Sequence, residues 1–277
     1  MEKVSIIMPC FNDGEYLRDT FDSIAAQTWK NIEVVVVDDG STDVQTVQLL
    51  KQLEQEKRCQ LFVQQRQGPA AARNVAFRHA TGAYILPLDA DDCIDPTYIE
   101  KAVQVLEANP GAGACYCQAA FFGWRQGRWE LPDYSLRKML VDNVVFVSSV
   151  MRREAFEQAG GYDESFRTGM EDYDFYLSML ENGWEIIQLP EVLFHYRIKK
   201  NSRSQTLVRD ANDYHATYRR LYEKHQKLYA RHMDTVIPDL RDEMLAKRQE
   251  NIELQKALLR ARHPVKMWVS EHILGRK

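Results

Sequence analysis

Three carboxylates arrive together where an apolar run stops, in Ile85-Leu86-Pro87-Leu88-Asp89-Ala90-Asp91-Asp92. Charges gathered at one strand end repel one another unless a cation or hydrogen-bond donors offset them. Oxygen-only ligands at that spacing suit a hard divalent ion, Mg²⁺ or Mn²⁺, with substrate phosphates completing its shell. One such Asp alone reads equally well as a solvated turn or, for Asp92 or Asp95, as a helix cap. The cluster does not, because a second apolar strand, residues 34–37, runs straight into Asp38-Asp39-Gly40-Ser41-Thr42-Asp43. A further acidic group, Glu171-Asp172-Tyr173-Asp174, opens a helical pattern. Acidic residues favour a helix N-terminus through its dipole, and that reading stands beside one in which a carboxylate accepts a proton.

The elements that must position these groups alternate. Residues 4–8, 32–37, 61–65 and 83–88 are short apolar runs of strand character. Between and after them lie helical patterns from Tyr16 to Gln27, over 44–57, over 70–78 and from Asp95-Pro96 to residue 108. This order predicts an open, mostly parallel α/β sheet, in which ligands bind outside the carboxyl ends of the strands, where both Asp clusters fall. The second half is less regular. Strand character returns at 112–122 and 144–151, around a loop-rich stretch carrying Trp124, Trp129 and Tyr134. These aromatics suit sugar stacking or a buried lid. A short helix at 153–159 leads to Gly160-Gly161-Tyr162-Asp163, and two short strands are expected at 186–189 and 192–196. The loop Lys199-Lys200-Asn201-Ser202-Arg203-Ser204 concentrates cationic and hydroxyl donors that either close over a diphosphate or are solvated.

Composition narrows the classes. The chain has 277 residues and a net charge of −4, so nothing global points to nucleic acid. Five cysteines without a Cys-x-x-Cys pair suggest core packing in a reducing compartment. No apolar run approaches the ~20 residues of a spanning helix, and Met1-Glu2-Lys3-Val4 enters a strand directly, so the expected location is cytoplasmic. Gly-x₄-Gly-Lys-Ser/Thr is absent, and Gly111-x-Gly113 does not join a strand to a helix with a third Gly, which argues against a P-loop NTPase and a dinucleotide dehydrogenase.

Taken together, Pro9 and Asn12, the run Asp38 to Asp43, Gly68-Pro69-Ala70-Ala71-Ala72-Arg73-Asn74, Leu88-Asp89-Ala90-Asp91-Asp92, Gly160-Gly161-Tyr162-Asp163-Glu164 and Glu171-Asp172 resemble, in order and spacing, the family 2 glycosyltransferases. The resemblance covers about residues 3–205. It implies the GT-A fold, a UDP-linked nucleotide-sugar donor, a divalent metal (Mn²⁺ or Mg²⁺), and inversion at the anomeric carbon, with a glycan or lipid-linked acceptor. Carried over by position, Pro9, Phe11, Asn12 and Asp39 would contact nucleobase and ribose, with Asp39 accepting from a uracil-type imide. Arg73 would sit by the diphosphate, Asp89 would touch the ribose, Asp91 would ligate the metal, and Asp172 would be the base. Arg203, in the cationic loop, would join the donor site. His195 falls where related enzymes place a further metal or phosphate contact, an ordinary core histidine being the alternative. The rivals are a catalytically silent nucleotide-sugar-binding or scaffold protein and a sugar nucleotidyltransferase. The latter should carry a basic Gly-rich loop where this chain reads Pro9-Cys10-Phe11-Asn12-Asp13-Gly14.

The catalytic domain is expected to span 1–208, and 209–277 to be a helical C-terminal extension. Within it, a stripe from Tyr214 to His232 reads as a helix packed on the catalytic domain, with Pro238 as a breaker. Ile237, Leu240, Met244, Lys247, Asn251, Leu254, Leu258 and Ala261 follow a heptad spacing. The basic, amphipathic stretch beyond, with Trp268, suits either an anionic membrane surface, as a peripheral contact on the inner face of the cell membrane, or a partner in a homodimer.

Overall fold

The protein is described by a computed structural model that covers residues 1–166, 169–199 and 211–262. Arg203 and most of its cationic loop, and the stretch from His263 that includes Trp268, lie outside the described residues. Compactness divides the chain into two units, Met1–Tyr229 and Ala230–Lys277.

The first unit is built on β1 (Val4–Cys10), buried at all seven positions, as continuous apolar runs covered on both faces must be. It pairs in parallel with β2 (Ile32–Asp38) on one side and β4 (Tyr84–Pro87) on the other, and β2 carries β3 (Gln60–Val63), also parallel. The register puts Cys10 opposite Asp38 and Ile7 opposite Pro87. The loops after β1, β2 and β4 therefore leave the sheet along one edge. Three helices return the chain, α1 (Gly14–Ala25), α2 (Val44–Gln55) and α3 (Pro69–His79). On α1, Leu17, Thr20, Phe21 and Ile24 form the buried stripe at helical spacing. Asp43 caps α2 by accepting from the Thr46 amide at 2.8 Å. Gly14 is required by close approach, since a Cβ there would meet the Thr46 Cα at 2.7 Å.

After β4 the two-residue β5 (Cys93–Ile94) and α4 (Tyr98–Ala108) lead into β6 (Ala112–Gly123). The chain continues through β7 (Gly127–Trp129), α5 (Leu136–Val141), β8 (Val150–Arg152), α6 (Arg153–Ala159), α7 (Glu171–Glu181) and β9 (Glu185–Ile198). The full sheet runs β3-β2-β1-β4-β8-β6-β9-β5, with β7 pairing β6. Parallel pairing holds for the first four strands and for β6 with β9. β8 is antiparallel to β4 and β6, and β5 to β9, so the sheet is mixed rather than parallel throughout. α4 begins at Tyr98, three residues later than expected, because Asp95-Pro96 forms a turn in which Tyr98 donates to the Asp95 carbonyl at 3.0 Å.

The loop-rich stretch after β6 folds an aromatic cover. Phe146 stacks on Phe194 at 4.4 Å and Trp129 on Phe121 at 5.2 Å, while Trp124 remains 67 % exposed. Two helices follow, α8 (Ala211–Lys224) within the unit and α9 (Gln226–Arg231), in which the boundary after Tyr229 falls. Leu221, His225 and Leu228 are buried, so the helical segment does pack on the catalytic domain. The compact boundary falls between Tyr229 and Ala230.

The second unit is dominated by α10 (Met233–Arg262). Pro238 lies inside this helix, and the breaks fall at His225 and His232 instead. The first four amides of a helix have no internal partner, so a proline at the sixth position removes a single intrahelical bond.

Candidate active site

The chain leaving β4 brings Asp89, Asp91 and Asp92 together, with one oxygen from each carboxylate within 4.8 Å of the others. Asp92 is buried and Asp89 and Asp91 are half-buried. Burial, partly offset by Lys199 and reinforced by Asp89, pushes the Asp91 carboxyl up to about 6. Burial and then the charges of Asp91 and Asp89 raise Asp92 well above the usual carboxylate range. This negative charge meets two cationic residues at the end of β9. Lys199 Nζ lies 2.6 Å from Asp91 Oδ2 and 2.7 Å from Asp13 Oδ1. The Arg197 amide donates to Asp92 Oδ1 at 2.8 Å, and its guanidinium Nε to the Asp91 carbonyl at 2.7 Å. The antiparallel pairing of β5 with β9, Cys93 opposite His195, brings them there. Sequence reading singled out Lys199 only as part of a cationic loop, because the pairing that delivers it is unreadable from local pattern.

Arg73, on α3, is 3 % exposed and joins two parts of the site. Nη2 donates to Asp89 Oδ1 at 2.6 Å and Nη1 to Glu171 Oε1 at 3.0 Å. Burial works against its charge, but Asp89 and Glu171 outweigh that and raise its pKa. Asp172 follows Glu171 in the first turn of α7, which Met170 enters in the left-handed conformation with φ 68°. Burial and the neighbouring Glu171, opposed by Arg73, push Asp172 up to about 6. Its Oδ1 accepts from the Tyr173 amide at 2.8 Å, so the side chain is oriented while still half-buried and open to a substrate.

Asp39 is 4 % exposed, with three donors on its carboxylate: Gln64 Nε2 at 2.7 Å and the Gln67 amide at 2.8 Å on Oδ1, and the Gly68 amide at 2.8 Å on Oδ2. A carboxylate offers about four lone-pair positions, which leaves one on Oδ2 for an imide N–H. Asn12 adopts φ 57° and stitches the β1 loop to the β2 loop, its Oδ1 accepting from the Thr42 and Asp43 amides at 2.8 and 2.9 Å. That gives it a structural task in addition to any ligand contact. Pro9 is buried within β1 opposite Val37, and Phe11 lies under the Arg66 guanidinium at 3.9 Å.

Asn74, four residues into the Ala70-to-Asn74 motif, holds the Gly160-Gly161 turn. It donates to the Tyr162 carbonyl at 2.8 Å and accepts from the Tyr162 amide at 2.9 Å. A Cβ on Gly161, at φ 75°, would approach Asn74 Oδ1 to 2.9 Å. His195 is not brought to the acidic trio. Among the described residues the trio is made of Asp89, Asp91 and Asp92 alone, while His195 meets the Phe122 ring edge-on at 6.4 Å. The strand pairing that carries Lys199 to Asp91 leaves His195 opposite Cys93.

A sheet of this order, gathering carboxylates outside its parallel strands with a half-buried carboxylate across an arginine bridge, defines the class as a GT-A-type transferase fold. The fold matches that of TarS 1-349 from S. aureus, solved in complex with UDP-GlcNAc (TM-score 0.63, 22 % identity, 74 % of this chain and 61 % of that one) and with UDP (TM-score 0.60, 22 % identity, 71 % and 61 %). The chain belongs to glycosyl transferase family 2, whose family model matches residues 5–160. Its relatives include an uncharacterized glycosyltransferase of Haemophilus influenzae, 31 % identical across 76 % of this chain and 75 % of that protein. Glycosyltransferase GlyA of Streptococcus pneumoniae is 29 % identical across 74 % of this chain, which spans only 32 % of GlyA's length. Residues 5–160 are thus a family 2 glycosyl transferase domain. Among its described residues no helix is long and apolar enough to cross a membrane.

Proposed function

We propose that the protein is a metal-dependent, inverting transferase that moves a sugar from a UDP-linked donor to an acceptor hydroxyl, in the synthesis of a bacterial surface polysaccharide or another glycan. The reading is carried by one observation, the Arg73 bridge between Asp89 and Glu171. It fixes the carboxylates after β4 and the first turn of α7, with Asp172 beside Glu171, in one rigid network. The trio's oxygen-only donor set, with Asp91 and Asp92 held above their ordinary range by burial and by the neighbouring carboxylates, fits a hard divalent ion. Asp91, with Asp89 and Asp92 beside it, would hold that ion, which when bound supplies Lewis-acid neutralisation of the leaving diphosphate.

The rest falls to the chain's own residues. Asp39 orients the base through its remaining acceptor position, and the TarS complexes with UDP and UDP-GlcNAc support a uridine donor. Asp172 accepts the acceptor's proton as the new C1–O bond forms; the C1–O bond to phosphate breaks and its electron pair leaves with UDP. A single displacement needs one base and no covalent intermediate.

The test is a set of melting curves with UDP or ADP, with and without Mn²⁺. Stabilisation by a ligand grows with its excess over Kd, to about 2.7 kcal/mol at a hundredfold excess. UDP should stabilise more than ADP, and Asp39→Asn should erase that preference, since an amide presents a donor where the carboxylate only accepts. Mn²⁺ should enhance the UDP shift in the native chain and not in Asp91→Ala. Equal shifts with ADP would overturn the base assignment, and indifference to Mn²⁺ would overturn the metal.

A further inference from the structure

α10 carries an apolar stripe that nothing in its own unit covers. Ile237, Leu240, Met244, Leu254 and Leu258 are 52, 39, 71, 58 and 52 % exposed. Leaving side chains of this size in water forgoes their transfer free energy, and a row of them on one face marks an interaction surface. Their spacing alternates three and four residues, with Ile237, Met244, Asn251 and Leu258 at the first core position of each heptad and Leu240, Lys247 and Leu254 at the second. We infer that this face is the seam of a parallel, two-stranded coiled coil between two copies of the chain.

The flanking charges choose the occupant and its direction. Glu243 and Glu250 border the seam on one side, Arg241 and Arg248 on the other. In a parallel pair, the residue just before a first core position faces the residue five places further on in the other helix, so Glu243 meets Arg248 of the second copy, twice by symmetry. An antiparallel pair would set glutamate beside glutamate and arginine beside arginine. An anionic lipid surface would meet the two glutamates. Neither Glu243 nor Arg248 forms an ion pair with another described residue of its own chain, and both are exposed. Asn251 adds a second, independent mark. It is exposed in the single chain, and at a first core position two such amides face each other across the axis, the arrangement that selects a dimer over larger bundles at some cost in stability. Lys247 weakens the seam further, so the association is reversible and concentration-dependent.

The experiment uses the full chain and is independent of any reaction. Light scattering across a wide dilution series should show a monomer–dimer equilibrium. Glu243→Arg sets arginine against arginine at both pairs and should weaken the dimer roughly tenfold, two pairs each changing by several tenths of a kcal/mol in both senses. Adding Arg248→Glu to the same chain restores opposite charges and should recover the native constant, which only the parallel arrangement allows. Asn251→Cys should give one interchain disulfide under mild oxidation, with the native chain as control. A chain that stays monomeric at every concentration, a trimer or larger assembly, a double charge swap that fails to recover, or an Asn251→Cys chain that does not cross-link would each overturn the inference. Unchanged melting of the Met1–Tyr229 unit in all variants guards against misfolding as the cause.

Discussion

Asp172 and Glu171 are adjacent acids with separable tasks. Glu171 balances the buried Arg73 guanidinium, whereas Asp172 is destabilised as an anion by burial and by Glu171 itself. Asp172→Asn keeps the shape but cannot take a proton, so the rate should fall by about 10² to 10⁴ with the UDP dissociation constant little changed. Its effect on stability carries the opposite sign. The folded-state pKa of about 6 lies above the ordinary 3.8, so charging Asp172 costs stability as pH rises between those values, and the full cost persists above them. The Asn variant should therefore melt higher than the native chain near neutral pH, with the gain disappearing below about pH 4. Native activity should rise with pH through about 6 as the base deprotonates. Glu171→Gln should do the reverse, losing about 1 to 3 kcal/mol of stability by weakening a buried charge-assisted bond and less rate than Asp172→Asn. Rates and melting curves of the two variants side by side decide the assignment; a large rate loss confined to Glu171→Gln would reverse it. From the residues alone both acids could be found but not told apart, and only the family resemblance favoured Asp172, because what separates them physically is Arg73, a residue far away in the chain whose buried side chain turns to Glu171.

At the scale of elements, α7 is held from behind by the segment that sequence reading assigned to the extension. Lys224 at the end of α8 reaches Asp163 at 2.9 Å and the buried Asp174 at 2.8 Å, and His225 Nε2 lies 3.1 Å from Asp174. Hydrogen bonds from Ser165 and Lys224 outweigh desolvation and hold Asp163 down at about 2. Lys224→Met would leave Asp174 with His225 alone and should cost about 1 to 3 kcal/mol, a fall of about 2 to 4 °C in Tm per kcal/mol for a unit of this size. Lys224→Arg should recover most of it, and a Tm unchanged in Lys224→Met would show the contact to be dispensable. The strands and helices of the first half were legible because each is a local pattern, an apolar run or a helical stripe between Gly, Pro and Asp signals. The second half was not. β9 was expected as two strands because Pro190 and Glu191 interrupt it, yet it is one strand whose register slips there, Leu189 facing Cys117 and Val192 facing Gln118. A bulge tolerates a proline that cannot donate, and whether a strand continues past one is decided by its neighbour β6, not by its own residues.

For the whole molecule, the two compact units give a direct expectation. A chain ending at Tyr229 should keep its UDP-induced melting shift, since every described contact of Asp39, Arg73, Asp91 and Asp172 lies within the first unit. A chain ending before Ala211 should melt lower and lose activity, because Asp174 then keeps neither Lys224 nor His225. Equal melting of the two truncations would mean that α8 and α9 add nothing to the unit. The five cysteines, all free and all but Cys93 buried, carry a consequence of another kind. Cys10 ends β1 beside the Asp38 loop at 1 % exposure with its thiol pKa raised by burial, Cys115 and Cys117 are sealed in β6, and Cys93 is held at about 11. Only a thiolate reacts, so a thiol reagent finds the native molecule almost inert. The moment at which each sulfur yields is then a clock on its own strand, Cys10 timing how often the donor edge of the sheet opens to water and Cys117 how often the centre does.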